Sequence, residues 1–251
     1  MNTDQISLQL YTLRERTARD MLGTLRAVAE MGYRAVELAG YGGVPVADLR
    51  PALDEYGLRA VSSHVPLRDW DSDAQRVFSD LHALGCAHAV VPIAPDGYRE
   101  DEEAVARLAQ RLNRLGESCR SEGLRFSYHN HDFEFARVGN ATLLDVLVRE
   151  TDPRLVGLEL DVYWARYAGV DPALLIRNLA NRISLLHLKD MAPQRSDAPV
   201  GEGTLPWPDL LQAGDDAGVE YYIVEQDHPE NALEDVRTSL RNLEAWADDG
   251  R

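Results

Sequence analysis

Ionisable side chains cluster at the carboxyl ends of five of the predicted strands in this chain. The richest cluster, residues 129–134 with the sequence His-Asn-His-Asp-Phe-Glu, follows the short β-like run 124–128. The other clusters occupy residues 62–64, 159–161, 187–190 and 225–227. Imidazole and carboxylate groups bind divalent ions and carry protons in acid–base catalysis. These residue types, placed where strands end, predict an active site assembled from distant parts of the chain.

The elements that must position these groups form a regular alternation of eight apolar runs and eight helical patterns. The predicted strands are residues 6–10, 35–38, 59–64, 88–93, the run from 124, 156–161, 183–188 and 221–225. The predicted helices are residues 19–31, 46–56, 72–84, 102–122, 141–150, 172–181, 206–217 and about 231–247. Glycine joins helix to strand at five places, as in Leu84-Gly85-Cys86, which is typical of a parallel sheet.

Eight βα units in about 250 residues predict an α/β fold, a single (β/α)₈ TIM barrel, as one domain over residues 1–251. An open doubly wound sheet is the alternative, but it usually carries a glycine-rich turn after its first strand. Residues 10–14 contain no glycine. In a barrel the catalytic groups lie at the carboxyl ends of the strands, so all five polar clusters are expected at one face.

Asp161, His187 and Glu225, with a fourth group from the fifth strand, form an oxygen-rich set with one imidazole. Such a set favours one divalent metal ion, Mn²⁺ first, with Co²⁺, Mg²⁺ or Zn²⁺ as alternatives. Taken singly, an aspartate at a strand end is usually a helix cap and a histidine usually a core residue. Their convergence favours a metal, because charged groups brought together without a cation or substrate are costly.

Composition narrows the class of partner. The formal net charge is −16, which argues against a nucleic-acid ligand. No apolar run approaches the roughly 20 residues of a membrane span, and residues 1–5 lack the features of a signal peptide. Cys86 and Cys119 show no CxxC spacing, so a cytoplasmic protein with reduced thiols is expected. We expect a small-molecule substrate, and a homo-oligomer is possible.

Lys189 is the only lysine beside 25 arginines. A general preference for arginine over lysine accounts for the 25 arginines. The single lysine either escaped this preference by chance or has a chemical role that needs a compact ammonium group.

At these residues the chain resembles the sugar phosphate isomerase/epimerase superfamily, the xylose-isomerase-like barrels that include ketose 3-epimerases and inosose dehydratases. The matching segments are residues 8–14, 32–38, 128–135, 160–164, 187–190, 200–203 and 224–227. Each segment is weak alone, but their order and spacing are specific to the superfamily. The resemblance implies a divalent ion held by Glu, Asp, His and Glu from the last four strands.

Carried over to this sequence, Asp161, His187 and Glu225 match the ligand pattern directly. The first glutamate is missing, because the fifth strand reads Tyr-His-Asn-His at residues 128–131. Glu134 is the favoured substitute. His129 or His131 is the alternative.

The resemblance also implies proton abstraction next to the carbonyl of a keto-sugar or polyol, so we predict a sugar isomerase or epimerase. A dehydratase or other lyase on the same site is the alternative. Glu225 is predicted to transfer one proton and His131 to serve the opposite face. Lys189 either neutralises a developing oxyanion or pairs with Glu202 or Asp190. The predicted substrate-binding residues are His64, His129, Trp164 and Glu202.

Two other classes are weaker alternatives. A zinc-dependent endonuclease on the same barrel would need more than seven histidines and a basic groove. A non-catalytic sugar-binding barrel does not explain the near-complete set of ligands.

Overall fold

The structure, a computed structural model, describes residues 1–248. The predicted domain, 1–251, ends in three residues that lie outside this range. Eight parallel strands form a closed barrel, which confirms the predicted fold. The strands are β1 (Ile6–Gln9), β2 (Ala35–Leu38), β3 (Arg59–His64), β4 (His88–Val91), β5 (Arg125–His129), β6 (Gly157–Asp161), β7 (Ile183–Leu188) and β8 (Tyr221–Val224).

Each strand pairs with the next one along the chain, and β8 pairs with β1 to close the barrel, with Tyr222 opposite Ile6. The α-helices are α1 (Arg14–Thr17), α2 (Met21–Met31), α3 (Val46–Tyr56), α4 (Leu67–Leu84), α5 (Glu102–Ser121), α6 (Leu143–Glu150), α7 (Val162–Tyr167), α8 (Pro172–Asn178), α9 (Trp207–Ala217) and α10 (Ala232–Asp248). Short 3₁₀ turns occupy Thr3–Gln5, Leu10–Leu13, Asp96–Tyr98, Phe133–Phe135 and Ala180–Arg182.

The glycines that were predicted to connect a helix to the next strand lie where the helices end. Gly85 ends α4 at a φ of 76°, a left-handed conformation that favours glycine. The Cys86 amide donates to the Leu81 carbonyl at 3.0 Å and the Gly85 amide donates to the His82 carbonyl at 3.1 Å. This pair of bonds satisfies the last carbonyls of the helix and turns the chain directly into β4.

Helices α2, α4 and α6 begin two or more residues from their predicted positions, and α2 starts at Met21 rather than 19, after an Asp20 cap. Helix α4 starts at Leu67 rather than 72, because a first turn precedes a break at Asp73, whose φ is −164°. The Asp73 carboxylate then accepts from the Arg76 amide at 3.0 Å and starts the second part. Helix α6 starts at Leu143 rather than 141, because Ala141–Thr142 forms a two-stranded hairpin with Arg137–Val138.

Helix α7 was not predicted, and a second small hairpin joins Asp190–Met191 to Asp197–Ala198. The α7 segment is only six residues long, too short for a helical period to be recognised. No helix within residues 1–248 is long and apolar enough to cross a membrane.

Inside the barrel, Val90, Leu185 and Ile223 form a small apolar layer, separate from the large core between strands and helices. His187 and Glu225 lie two residues beyond Leu185 and Ile223 on their strands. Side chains two residues apart share a face of a strand. The polar groups therefore form the next layer, towards the mouth of the barrel.

Candidate metal centre

Four side chains from the last four strands meet at this mouth. The ligand atoms of His129, Asp161, His187 and Glu225 all lie within 4.8 Å of one another, and all four residues are buried. His187 Nδ1 lies 2.9 Å from Glu225 Oε2, and His129 Nε2 lies 3.9 Å from Asp161 Oδ2. Two imidazole nitrogens and two carboxylate oxygens form a donor set that fits a divalent cation.

Asp161 has two separate functions. Its Oδ1 accepts from the Trp164 amide at 3.0 Å and so caps α7. Its Oδ2 is buried and accepts no hydrogen bond from any residue in the described range 1–248. Burial raises the pKa of Asp161 to about 6, although Lys189 opposes this shift. Lys189 Nζ lies 3.1 Å from this oxygen and compensates part of its charge, and a divalent cation at this point would compensate the charge more fully.

A second layer of polar groups lies beneath the first and comes from Glu37, His64 and Glu159. His64 Nε2 lies 2.6 Å from Glu159 Oε2 and 3.0 Å from Glu37 Oε1. His187 Nε2 lies 2.8 Å from the same Glu37 oxygen and 3.1 Å from Glu159 Oε2. His129 Nδ1 lies 3.1 Å from that Glu159 oxygen. Both imidazoles of the upper set therefore face a carboxylate with their second nitrogen.

The three histidines of these layers differ in charge. Burial alone lowers the pKa of His64, but Glu37 and Glu159 outweigh it and raise that pKa to about 10. For His187 burial is likewise outweighed by Glu159 and Glu225, so its pKa is well above the usual value. For His129, burial lowers the pKa well below the usual range. In the metal-free chain His64 and His187 thus supply positive charge to the buried carboxylates.

Lys189 supplies the third positive charge, from a side chain that is 1% exposed. Its Nζ lies 2.7 Å from Asp227 Oδ2, 2.9 Å from Glu225 Oε2 and 3.1 Å from Asp161 Oδ2. These carboxylates outweigh burial and raise the pKa of Lys189 well above its usual value. Lys189 therefore remains an ammonium ion beside the proposed ligands.

The predicted pairing of Lys189 with Glu202 or Asp190 is wrong. The Asp190 carboxylate instead accepts from the amides of Met191, Gly201, Gly203 and Leu205 and from the Trp207 indole. Glu202 is exposed, and within the described residues its side chain is not among those lining the mouth cavity.

A cavity of about 420 Å³ opens above the cluster. Its polar end is lined by His64, His129, His131, Glu225 and Asp227, and its outer part includes Tyr11, Pro66, Pro92 and Ile93. This volume is within the usual range for a small-molecule site. A cavity of about 430 Å³ lies at the other end of the barrel, but two of its arginines, Arg125 and Arg154, are already paired with Glu220 and Asp152.

His131 and Trp164 lie at the edge of the cluster. Their ring centroids are 5.7 Å apart, and Lys189 Nζ lies 5.4 Å from the Trp164 ring. His131 Nδ1 is buried, and no group within residues 1–248 hydrogen-bonds to it. Burial lowers the pKa of His131 to about 4, so this ring is neutral at pH 7.

The structure does not bring Glu134 to the cluster. It lies in the Phe133–Phe135 turn, where its carboxylate accepts from the Tyr128 hydroxyl and, at 2.7 Å, from the His131 amide. The expected position of Glu134 beside the ion is thus corrected, because local donors hold its carboxylate next to the turn. On the fifth strand it is His129 whose side chain lies with Asp161, His187 and Glu225.

Sequence reasoning assigned no function to Glu37 and Glu159. Strand periodicity contained a signal for Glu159, because it lies two residues before Asp161 on the same face of β6. Glu37 lies in β2 and had no polar neighbour in sequence to suggest a site.

Known proteins resemble this chain in sequence and in fold. The xylose isomerase-like TIM barrel family matches residues 25–246. An inosose dehydratase of Geobacillus kaustophilus is 30% identical over 191 residues, which are 66% of this chain and 61% of that protein. The chain spans 61–64% of the length of this and two clostridial inosose dehydratases.

Solved structures give the same picture. A sugar phosphate isomerase/epimerase from Parabacteroides distasonis superposes with a TM-score of 0.85 at 28% identity, covering 96% of this chain and 93% of that one. The IOLI protein with a binding zinc atom has a TM-score of 0.74 at 13% identity over 98% of both chains, a likeness of fold alone. The family match extends over most of the chain and agrees with the closed barrel, so this chain belongs to the xylose isomerase-like TIM barrel family.

Proposed function

We propose that this protein is a divalent-metal-dependent enzyme that removes a proton next to the carbonyl of a keto-polyol or keto-sugar and then eliminates water. The observation that carries the proposal is the group His129, Asp161, His187 and Glu225, which lies at the inner end of an open cavity. A Lewis-acidic ion at such a position, next to groups that can move protons, suits chemistry at a carbonyl.

The four residues of this group would hold the ion. When bound, it would supply Lewis acidity to the substrate's carbonyl and neighbouring hydroxyl. The second imidazole, contributed by His129, makes the donor set richer in nitrogen than the sequence predicted. Mn²⁺, Co²⁺ or Zn²⁺ therefore fits better than Mg²⁺, which prefers oxygen ligands.

The chain's own residues account for the protons. His131 is neutral and lines the cavity beside the cluster, so it is the favoured base for the proton next to the carbonyl. Glu225 Oε2 already contacts His187 and Lys189. These contacts favour a role for Glu225 as a metal ligand over the role in proton transfer that the sequence suggested.

The proposed reaction is a net loss of water from the substrate. His131 takes the proton from the C–H bond, and the substrate becomes an enolate. The Lys189 ammonium group, which lies beside the proposed ligands, would stabilise the enolate oxygen. The C–O bond to the hydroxyl group on the next carbon then breaks, and the leaving hydroxide takes the proton from the His131 imidazolium, which forms water and returns His131 to its neutral state. The product is an unsaturated ketone.

Isomerisation or epimerisation is the second candidate. It shares the first proton transfer and differs only in that a proton returns to carbon. The inosose dehydratases support the elimination, whereas the isomerase/epimerase with a TM-score of 0.85 supports the second candidate.

The test combines metal analysis with a substrate screen. Purified protein is loaded with Mn²⁺, Co²⁺ or Zn²⁺ and incubated with inososes and keto-sugars in D₂O. Elimination produces a conjugated enone that absorbs in the ultraviolet, whereas epimerisation returns deuterium to a single carbon without a new chromophore.

Asp161→Asn removes a ligand and is expected to abolish both metal binding and turnover, while Glu103→Gln, on an exposed face of α5, serves as the matched control. Turnover that persists after complete removal of metal, or in Asp161→Asn, would refute the proposed function.

A further inference from the structure

The lower polar layer has a geometry that the proposed chemistry does not use. Glu159 Oε2 lies 2.6 Å from His64 Nε2, 3.1 Å from His129 Nδ1 and 3.1 Å from His187 Nε2. Glu37 Oε1 contacts His64 and His187 but not His129, and it also accepts from the Gln9 amide group at 2.6 Å. Glu37 and Glu159 are both 0% exposed.

The upper layer determines which nitrogen of each ring is available. His187 turns Nδ1 towards Glu225, and His129 turns Nε2 towards Asp161. If these nitrogens bind the ion, His187 Nε2 and His129 Nδ1 must carry the ring protons. His129 Nδ1 is hydrogen-bonded to Glu159 Oε2 at 3.1 Å, whereas His187 Nε2 is hydrogen-bonded to Glu37 Oε1 at 2.8 Å and lies 3.1 Å from Glu159 Oε2.

The alternative for this layer is a second ion held by His64, His129, Glu159 and His187. Ligand bonds of about 2.1 Å in a tetrahedral site separate neighbouring ligand atoms by about 3.4 Å. His64 Nε2 and Glu159 Oε2 are 2.6 Å apart, which is a hydrogen-bond separation. His187 Nδ1 and Glu225 Oε2 in the upper set are likewise 2.9 Å apart, so the number of ions bound per chain, rather than these distances, separates the two arrangements.

We propose that Glu159 and Glu37 are positioning residues that fix the ring orientations of the two imidazole ligands, Glu159 at His129 and Glu37 at His187. Carboxylates that accept from the outer nitrogen of metal-bound imidazoles orient the rings and raise their basicity. Glu159 Oε2 also lies 3.1 Å from His187 Nε2, so its negative charge acts on both ligand rings. The inference rests on the proposed metal site.

The experiment measures metal binding rather than turnover. Co²⁺ is titrated into the native chain and into Glu159→Gln, Glu37→Gln and Glu103→Gln in competition with a chelator, and the visible absorption of bound Co²⁺ is recorded. Far-ultraviolet circular dichroism confirms that each variant is folded. The native protein is expected to bind one ion per chain.

Glu159→Gln and Glu37→Gln are each expected to weaken Co²⁺ binding by about 10- to 100-fold and to change the visible spectrum, because each removes the hydrogen-bond acceptor of one ligand ring. Glu103→Gln is expected to match the native chain. If one of the two variants does not fold, the affinity and spectrum of the other test the positioning role at its own ligand ring.

Three outcomes overturn the inference. Unchanged affinity and spectrum in a folded Glu159→Gln refute the positioning role while leaving the metal site intact. Two ions in the native chain, with one lost in Glu159→Gln, make Glu159 a ligand instead. A native chain that binds no Co²⁺ refutes the inference together with the proposed function.

Discussion

Replacement of Lys189 by methionine probes the charge balance at the mouth. The two side chains are of similar length, so Lys189→Met removes the ammonium group and preserves most of the packing. Lys189 Nζ lies within 3.1 Å of oxygens from three carboxylates, and the side chain is 1% exposed. Removing one partner of a buried ion pair costs about 3–5 kcal/mol, because the remaining charge is left buried and uncompensated.

The loss is large compared with the total stability of about 5–15 kcal/mol that is usual for folded proteins. It corresponds to a fall in Tm of roughly 6–20 °C for a chain of this size. The assay is urea unfolding in the presence of a chelator, followed by circular dichroism. Arg107→Met, on an exposed face of α5, is the control and is expected to change stability by less than about 0.5 kcal/mol.

Saturating Mn²⁺ is expected to narrow the difference between native and Lys189→Met protein, because the ion supplies positive charge to two of the same carboxylates. Equal stability of the two metal-free proteins would show that the ammonium group does not compensate the cluster. A difference that widens on adding Mn²⁺ would place the ion elsewhere.

Three further results are expected. Burial raises the pKa of Glu134 from 4.5 to about 7, so between these pH values the folded state holds a proton that the unfolded state releases. The stability of the native protein relative to Glu134→Gln should therefore fall by about 3 kcal/mol as the pH rises from 4.5 to 7. A stability difference in urea unfolding that stays constant across this range contradicts the assignment. Gly116→Ala places a Cβ 2.4 Å from the Leu155 carbonyl oxygen and should cost about 1–3 kcal/mol in thermal unfolding, whereas Gly97→Ala, with open space around it, should be nearly neutral. Tyr11 lines the cavity and is 42% exposed, so Tyr11→Ala should raise KM by roughly 2- to 12-fold with kcat unchanged if the ring packs on substrate; an unaltered KM would remove Tyr11 from the binding site.

Local patterns were sufficient to predict the barrel. Strands β2, β3 and β7 and helix α3 have the predicted bounds, because each is a buried run or an amphipathic stretch that ends at glycine or a polar cluster. Asp161, His187 and Glu225 were predicted to converge because strand ends share one face of a parallel barrel. The structure places these three side chains together.

The lower layer could not be predicted in the same way. The contacts of Glu37 with His64 and His187 join residues 27 and 150 positions apart, and no local pattern encodes that separation. Glu134 was misplaced for a related reason: sequence shows that it is near His131 but not that the Tyr128 hydroxyl holds its carboxylate. The number of ionisable groups at a strand end indicates a site, but their orientation depends on packing.

The sole lysine also makes the barrel mouth chemically addressable. Primary amines are confined to Lys189 and the N-terminus, and the Lys189 side chain is 1% exposed. Acylating reagents should modify the N-terminal amine while the Lys189 side chain stays buried. Slow labelling of Lys189, read by mass spectrometry, would report transient opening of this end of the barrel, with no engineered probe and no competing lysine.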